Sequence, residues 1–268
     1  MAIVLTKEGT LKTQSDLLKK ESRLLSKLSP ILMITGAVLI VIGIILYFTI
    51  KNFDNYALII AGAFLVFVGF GQKFKKIDND DDVNKMKYGK KGENFVLNNL
   101  QKKLSDDYYI LNDCNISGTG MQKSQIDHLL ISTKGIFVIE TKNYKGKIEG
   151  SALDKDVLQI KDTPNKGIEK NYVSNPVSQN EYHCKVLKDF LKINKINIPE
   201  ELIKSVIIFA NKFVEVTIFN VDDKLVYVGK IWGALDFIKE NSKENSISTD
   251  EINKLLKLLV PDFTGIPN

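Results

Sequence analysis

The chain of 268 residues predicts an α/β fold: a mixed sheet of about five strands flanked by helices, preceded by a two-helix hairpin that spans a membrane. Three observations carry this. Two long apolar runs near the N-terminus contain no charge. From Lys85 onward, strand-like and helix-like stretches alternate. Within that part, Ile126 to Ile131 and Ile136 to Ile139 read as a β-hairpin buried on both faces, with charged residues at its open end.

The first apolar run, Ile31 to Ile50, is twenty residues long and suffices to cross a bilayer as a helix. The second, Tyr56 to Gly71, is shorter, and Phe53 and neighbouring residues extend it. Lys51 to Asn55 reads as a tight polar turn between them. A soluble hairpin buried in a core is the competing reading, but two charge-free runs of this length are rare there. Lys7, Lys12, Lys19, Lys20, Arg23 and Lys27 precede the first run, and Lys73, Lys75 and Lys76 follow the second. In the turn Lys51 is balanced by Asp54. The positive-inside rule therefore places both termini and the domain that follows in the cytoplasm, on a multi-pass inner-membrane protein. The first run is too long for a signal peptide, and no small-residue cleavage site follows it. Gly36 and Gly43, like Gly62 and Gly69, are seven apart and fit either close helix packing or the ordinary glycine usage of membrane helices. Residues 1–30 read as an amphipathic helix ending at Pro30, with Leu11, Leu17, Leu18, Leu24, Leu25 and Leu28 on its stripe. Such a helix lies on the membrane surface or pairs with a second copy, and its direct junction to the span favours the first.

The domains are then the N-terminal helix 1–30, the hairpin 31–72, a charged linker 73–87 containing Ile77 to Val83, and a soluble domain 88–262, long enough for one full core. Glu93 to Leu104 reads as a helix and Tyr108 to Asn112 as a strand. Gly118 to Ser124 reads as a flexible loop. Lys147 to Ser151 is a further short strand. Leu153 to Val173 is polar and broken by Pro164 and Gly167, so it reads as a loop with a strand at Val157 to Ile160. Pro176 to Lys192 is a helix with proline in its first turn. Val206 to Ala210 and Leu225 to Val228 are strands. Ile231 to Glu240 and Thr249 to Leu259 are closing helices, with Thr249 the candidate cap of the last.

The chemistry gathers at the open end of the hairpin. Glu140 follows four apolar residues, and a carboxylate buried alone is costly, so a cation or a metal is expected beside it. Glu140 and Lys142 share one strand face. With a two-residue turn at Lys134-Gly135, Asp127 falls opposite Lys142 and joins that face; a three-residue turn would send it to the other. Two carboxylates suit Mg²⁺ or Mn²⁺, which polarises a phosphodiester and acidifies bound water. A lysine beside them orients that water and offsets developing negative charge. A structural Glu140–Lys142 ion pair is the plainer alternative.

Several stretches resemble the nuclease-related domain, a branch of the PD-(D/E)xK nuclease superfamily. They are Gly89 to Glu93, Ile126-Asp127-His128, Gly135 to Gly146 (GIFVIETKNYKG), and Asn175-Pro176-Val177-Ser178-Gln179 with His183 four residues on. They occur in the family's order between Tyr88 and Leu191. The resemblance implies a restriction-endonuclease-like fold, Asp127 and Glu140 as metal ligands, Lys142 as the catalytic lysine, and Glu93 and Gln179 completing the site. Ile126 stands where the superfamily usually has proline, as is usual in this branch. The implied activity is metal-dependent phosphodiester hydrolysis, in DNA more than RNA. A membrane-tethered scaffold that recruits nucleic acid or protein without cutting is the alternative.

Charge and cysteine bound this reading. Residues up to Lys76 hold ten lysines and arginines against four acids, and the rest hold 27 against 28, so the net charge of +5 belongs to the N-terminal part. Any nucleic-acid footprint on the soluble domain is thus a local patch, best sought at Lys142, Tyr144, Lys145 and Lys147. Tyr144 is a candidate base-stacking residue. Cys114 and Cys184 form no CxxC pair, and with His128 and His183 they do not make a zinc site; the histidines read as supporting or packing residues. No Walker motif is present, so no intrinsic ATP dependence is expected. A homo-oligomer or a separate protein partner is compatible with all of this.

Overall fold

The computed structural model describes residues 1–5, 10–50, 56–120, 122–164, 167–242 and 246–266. The turn at 51–55 between the apolar runs, Lys7 and Met121 lie outside the described residues. The chain forms two compact units, residues 10–88 and residues 1–9 with 89–268.

In the first unit, α1 (Thr10–Thr49) and the start of α2 (Ala57–Lys103) are long and apolar enough to cross a membrane. Their outer faces expose Ile34, Val41, Phe48, Ile60, Phe64 and Phe67, which a soluble core hairpin would bury. The glycines form the seam between the helices. A Cβ on Gly36 would lie 2.5 Å from the Gly62 carbonyl oxygen, and one on Gly69 3.1 Å from that of Ser29. α1 does not stop at Pro30 but runs through it, so the segment before Pro30 continues the same helix. It packs on the 73–87 stretch of α2, the expected linker, which is itself helical. Ser22, Leu25, Ser29, Asn79 and Val83 are buried there. Lys75 pairs with Glu21 at 2.6 Å, Ser22 donates to Asp80 at 2.5 Å, and Ser29 donates to the Gly69 carbonyl at 2.8 Å. On that stretch the pairing buries Asn79 and Val83 and leaves Phe74 and Ile77 exposed.

The second unit opens with β1 (Ile3–Val4), a strand where the sequence suggested helix; two residues are too few to show a period. It is followed, from α2 onward, by β2 (Tyr109–Ser117), β3 (Lys123–Ser132), β4 (Gly135–Lys142), β5 (Lys147–Ser151), β6 (Asp156–Thr163), β7 (Gly167–Ser174), α3 (Pro176–Ile193), β8 (Ile203–Phe209), β9 (Glu215–Phe219), β10 (Val226–Gly229), α4 (Ile231–Glu240) and α5 (Thr249–Leu259). A mixed six-stranded sheet runs β1-β2-β3-β4-β8-β10, and a four-stranded sheet runs β7-β6-β5-β9. The second sheet was not expected. Pro164 and Gly167 punctuate a β6–β7 hairpin, and β7 exposes most of its residues, so no buried alternation betrays it.

The β3–β4 turn is a two-residue one, but at Thr133-Lys134. Ser132 pairs with Gly135 and His128 with Ile139. Ser132 Oγ accepts from the Lys134 amide at 3.2 Å and donates to the Gly135 carbonyl at 3.1 Å. Gly135, at φ 151°, opens the strand instead of sitting in the turn. Asp127 therefore comes level with Glu140 and not Lys142. The shift is by two residues, so all three stay on one face.

Both faces of the larger sheet are covered, which is why Ile136 to Ile139 are all fully buried. Val138 and Leu129 pack toward α3 and α5 with Val186, Leu187 and Leu255. Phe137 and Ile139 pack toward α2 and α4 with Val96, Leu100 and Leu235. A third cluster, with Ile148, Val157 and Phe209, lies under the smaller sheet. Ser248 caps α5 and not Thr249: its hydroxyl accepts from the Glu251 amide, three residues on.

Candidate active site

β4 delivers Glu140 and Lys142 to the face covered by α3, and β3 brings Asp127 beside them. Lys142 Nζ lies 2.6 Å from Glu140 Oε1 and donates to Gln179 Oε1 at 2.8 Å. Asp127 Oδ2 accepts from the Thr141 amide at 2.8 Å, between the other two. Gln179 is aimed by the start of α3. Asn175 caps that helix by accepting from the Val177 amide, and its side-chain amide donates to the carbonyls of Ser151, Ala152 and Asp154. One residue thus anchors the helix to the β5–β6 turn. Asn180 donates to the Val138 carbonyl and to Ser205, each at 2.8 Å, tying α3 to β4 and β8.

Glu93 enters from α2 without a direct hydrogen bond to these groups. It is held by Lys90 at 2.9 Å, and Lys90 also reaches Asp113 at 3.2 Å. Gly92 permits the approach: a Cβ there would lie 2.8 Å from Asn143 and 3.3 Å from Ala210. Asp113 is buried, sits at φ 50° within β2, and accepts from Gln125 at 2.6 Å. Neither Lys90 nor Asp113 stood out in the sequence. A left-handed aspartate in a strand leaves no periodic signal, and Lys90 was one lysine among many.

His183 belongs to the cluster. Its Nε2 lies 3.4 Å from Glu140 Oε2, and its Nδ1 hydrogen-bonds Ser124 at 2.6 Å. His128 faces Asn112 at 2.7 Å, is fully buried, and burial pushes its pKa down to about 4, so it packs as a neutral ring. Tyr144 packs on Phe209 and is turned to the core.

The electrostatics are those of crowded carboxylates. Burial drives the Asp127 pKa well above the usual carboxylate range, and the charges of Glu140 and Glu93 act the same way. Burial also raises that of Glu93, against the pull of Lys90. For Glu140 burial is outweighed by His183 and Lys142, which hold its pKa low. Lys142 is raised in turn, because Glu140 outweighs its own burial. Among the described residues no three His, Cys, Asp or Glu side chains close a metal cage. Mg²⁺ does not require one: it binds through one or two carboxylates and keeps several waters. The donor set fits such an ion. Asp127 and Glu140 are hard oxygen donors, and Glu140 Oε2, sealed from solvent, has His183 Nε2 beside it only at 3.4 Å.

The chain is similar to known proteins over part of its length. An uncharacterised protein of Bacillus anthracis is 36% identical over 102 residues, 37% of this chain and 45% of that protein, so the chain spans less than half the length of this curated relative. No solved structure matches the chain. The family described as the nuclease-related domain matches residues 88–210, the stretch that carries Glu93, Asp127, Glu140, Lys142 and Gln179.

Proposed function

We propose that the protein is a membrane-anchored, divalent-metal-dependent nuclease that hydrolyses phosphodiester bonds, in DNA rather than RNA. The observation that carries this is the meeting of Asp127, Glu140, Lys142 and Gln179 at one buried strand end, with Lys142 fixed between a carboxylate and an amide. Asp127 and Glu140 would hold Mg²⁺ or Mn²⁺, which when bound supplies positive charge to the scissile phosphate and acidifies water. Lys142 orients the attacking water and offsets the charge that builds on the phosphoryl oxygens. Gln179 keeps the ammonium in place, His183 and Ser124 steady Glu140, and Lys90 with Asp113 positions Glu93. Two candidate membrane helices confine cutting to nucleic acid near the bilayer.

The orientation of the anchor is part of the proposal. β1 precedes both helices, yet pairs in parallel with β2, which follows them. A chain that leaves the sheet, crosses twice and returns has its N-terminus and its domain on one side. Charge assigns that side to the cytoplasm.

The test uses the full chain in detergent, because residues 1–5 contribute a strand that a soluble fragment would lose. Plasmid, linear and single-stranded DNA and RNA are incubated with Mg²⁺ or Mn²⁺. Cleavage that requires metal and is lost in Asp127→Asn and Lys142→Ala is the expected result. Folded protein that neither cuts nor binds metal would instead indicate a non-cutting scaffold.

A further inference from the structure

With Tyr144 packed on Phe209 at 6.2 Å between centroids, a different ring is offered to solvent beside the site. Phe213 is 78% exposed, on the loop between β8 and β9. This loop is fixed at both ends. The Ala210 amide donates to the Lys142 carbonyl at 2.9 Å, which joins the loop directly to the end of β4. Asn211 donates to the Tyr144 carbonyl at 2.9 Å and accepts from the Phe213 amide at 3.0 Å. Lys230 donates to the carbonyls of Asn211 and Val214 at 2.7 and 2.6 Å, and Val214 is buried. The clasp fixes the backbone that carries the ring, and loops held by a rigid scaffold are where binding residues concentrate. Lys212 lies over the ring, its ammonium 4.6 Å from the centroid.

We infer that Phe213 and Lys212 form a binding platform for unpaired nucleic acid. The ring stacks on an exposed base and the lysine meets the adjoining phosphate. A base offers its face to a side chain only when its neighbour has left the stack, so the platform selects single strands, frayed ends and flaps over intact duplex. The inference rests on the nuclease reading and narrows its substrate class.

The experiment measures fluorescence anisotropy of a labelled mixed-sequence oligodeoxynucleotide, single-stranded or annealed, with the full chain in detergent. All proteins carry Lys142→Ala to prevent cleavage. Phe213→Ala is expected to weaken single-strand binding about five-fold or more, Phe213→Trp to retain it, and duplex binding to change by less than about two-fold. Equal single-strand affinity with and without Phe213→Ala would overturn the platform and leave the nuclease reading standing. Binding of duplex alone by the parent would do the same. A parent that binds no nucleic acid would remove both.

Discussion

Asp127 is squeezed by its surroundings: burial, Glu140 and Glu93 all disfavour its charge, and the Thr141 amide and Lys142 only partly compensate. Without metal, that crowding weakens the fold. Asp127→Asn is therefore expected to stabilise the chain in EDTA by about 1 kcal/mol while abolishing cleavage, read as a higher Tm in detergent. An unchanged or lower Tm would show that the carboxylate is already at ease. At this scale the sequence was informative wherever residues share a strand. Glu140 and Lys142 were placed on one face by alternation, and Asp127 joined them on the condition of a two-residue turn, which holds although the turn lies one position earlier than expected. Gln179 needed the family resemblance, since a first-turn glutamine is commonplace. Lys90, Asp113 and Ser124 come from separate elements and meet only in the folded chain.

Each element depends on a few contacts that can be broken singly. Asn175 joins the start of α3 to the β5–β6 turn through its cap and three amide-to-carbonyl bonds. Asn175→Ala should cost about 2 kcal/mol and should lower activity as well, by loosening Gln179; chemical denaturation and cleavage assays check the two separately. Loss of stability without loss of activity would mean that the helix start does not set the site. In the hairpin, Gly36→Val places a side chain against the Gly62 carbonyl, where no space exists. The expected outcome is a separated or misfolded helix pair, seen as failure of engineered cysteines at facing positions of α1 and α2 to cross-link. Long apolar runs and the closing helices were plain from composition and period. The β6–β7 hairpin was not, because its outer strand faces water and carries no apolar alternation.

At the scale of the whole molecule, the pairing of β1 with β2 ties the N-terminus to the domain beyond the two candidate membrane helices. Tags at the N- and C-termini should therefore be protected or digested together when protease is added to sealed membrane vesicles of known sidedness. Opposite accessibility would mean that only one helix crosses. Removing residues 1–5 should also weaken the domain. Ala2 is buried, its amide bonds the Gln101 carbonyl at 3.0 Å, and the edge of β2 would be left unpaired.

By itself the sequence determined the two long apolar helices that are candidate membrane spans, the α/β class and the acidic-basic strand end. Each is a local pattern of charge or periodicity, fixed by how helices and strands distribute side chains. Tertiary structure alone decided that residues before Pro30 pack on the acidic stretch of α2, that the first five residues complete a sheet, and that Lys90 and Asp113 support the site. Those outcomes depend on which surfaces meet after long excursions of the chain, and burial between distant segments leaves no periodic mark in either one.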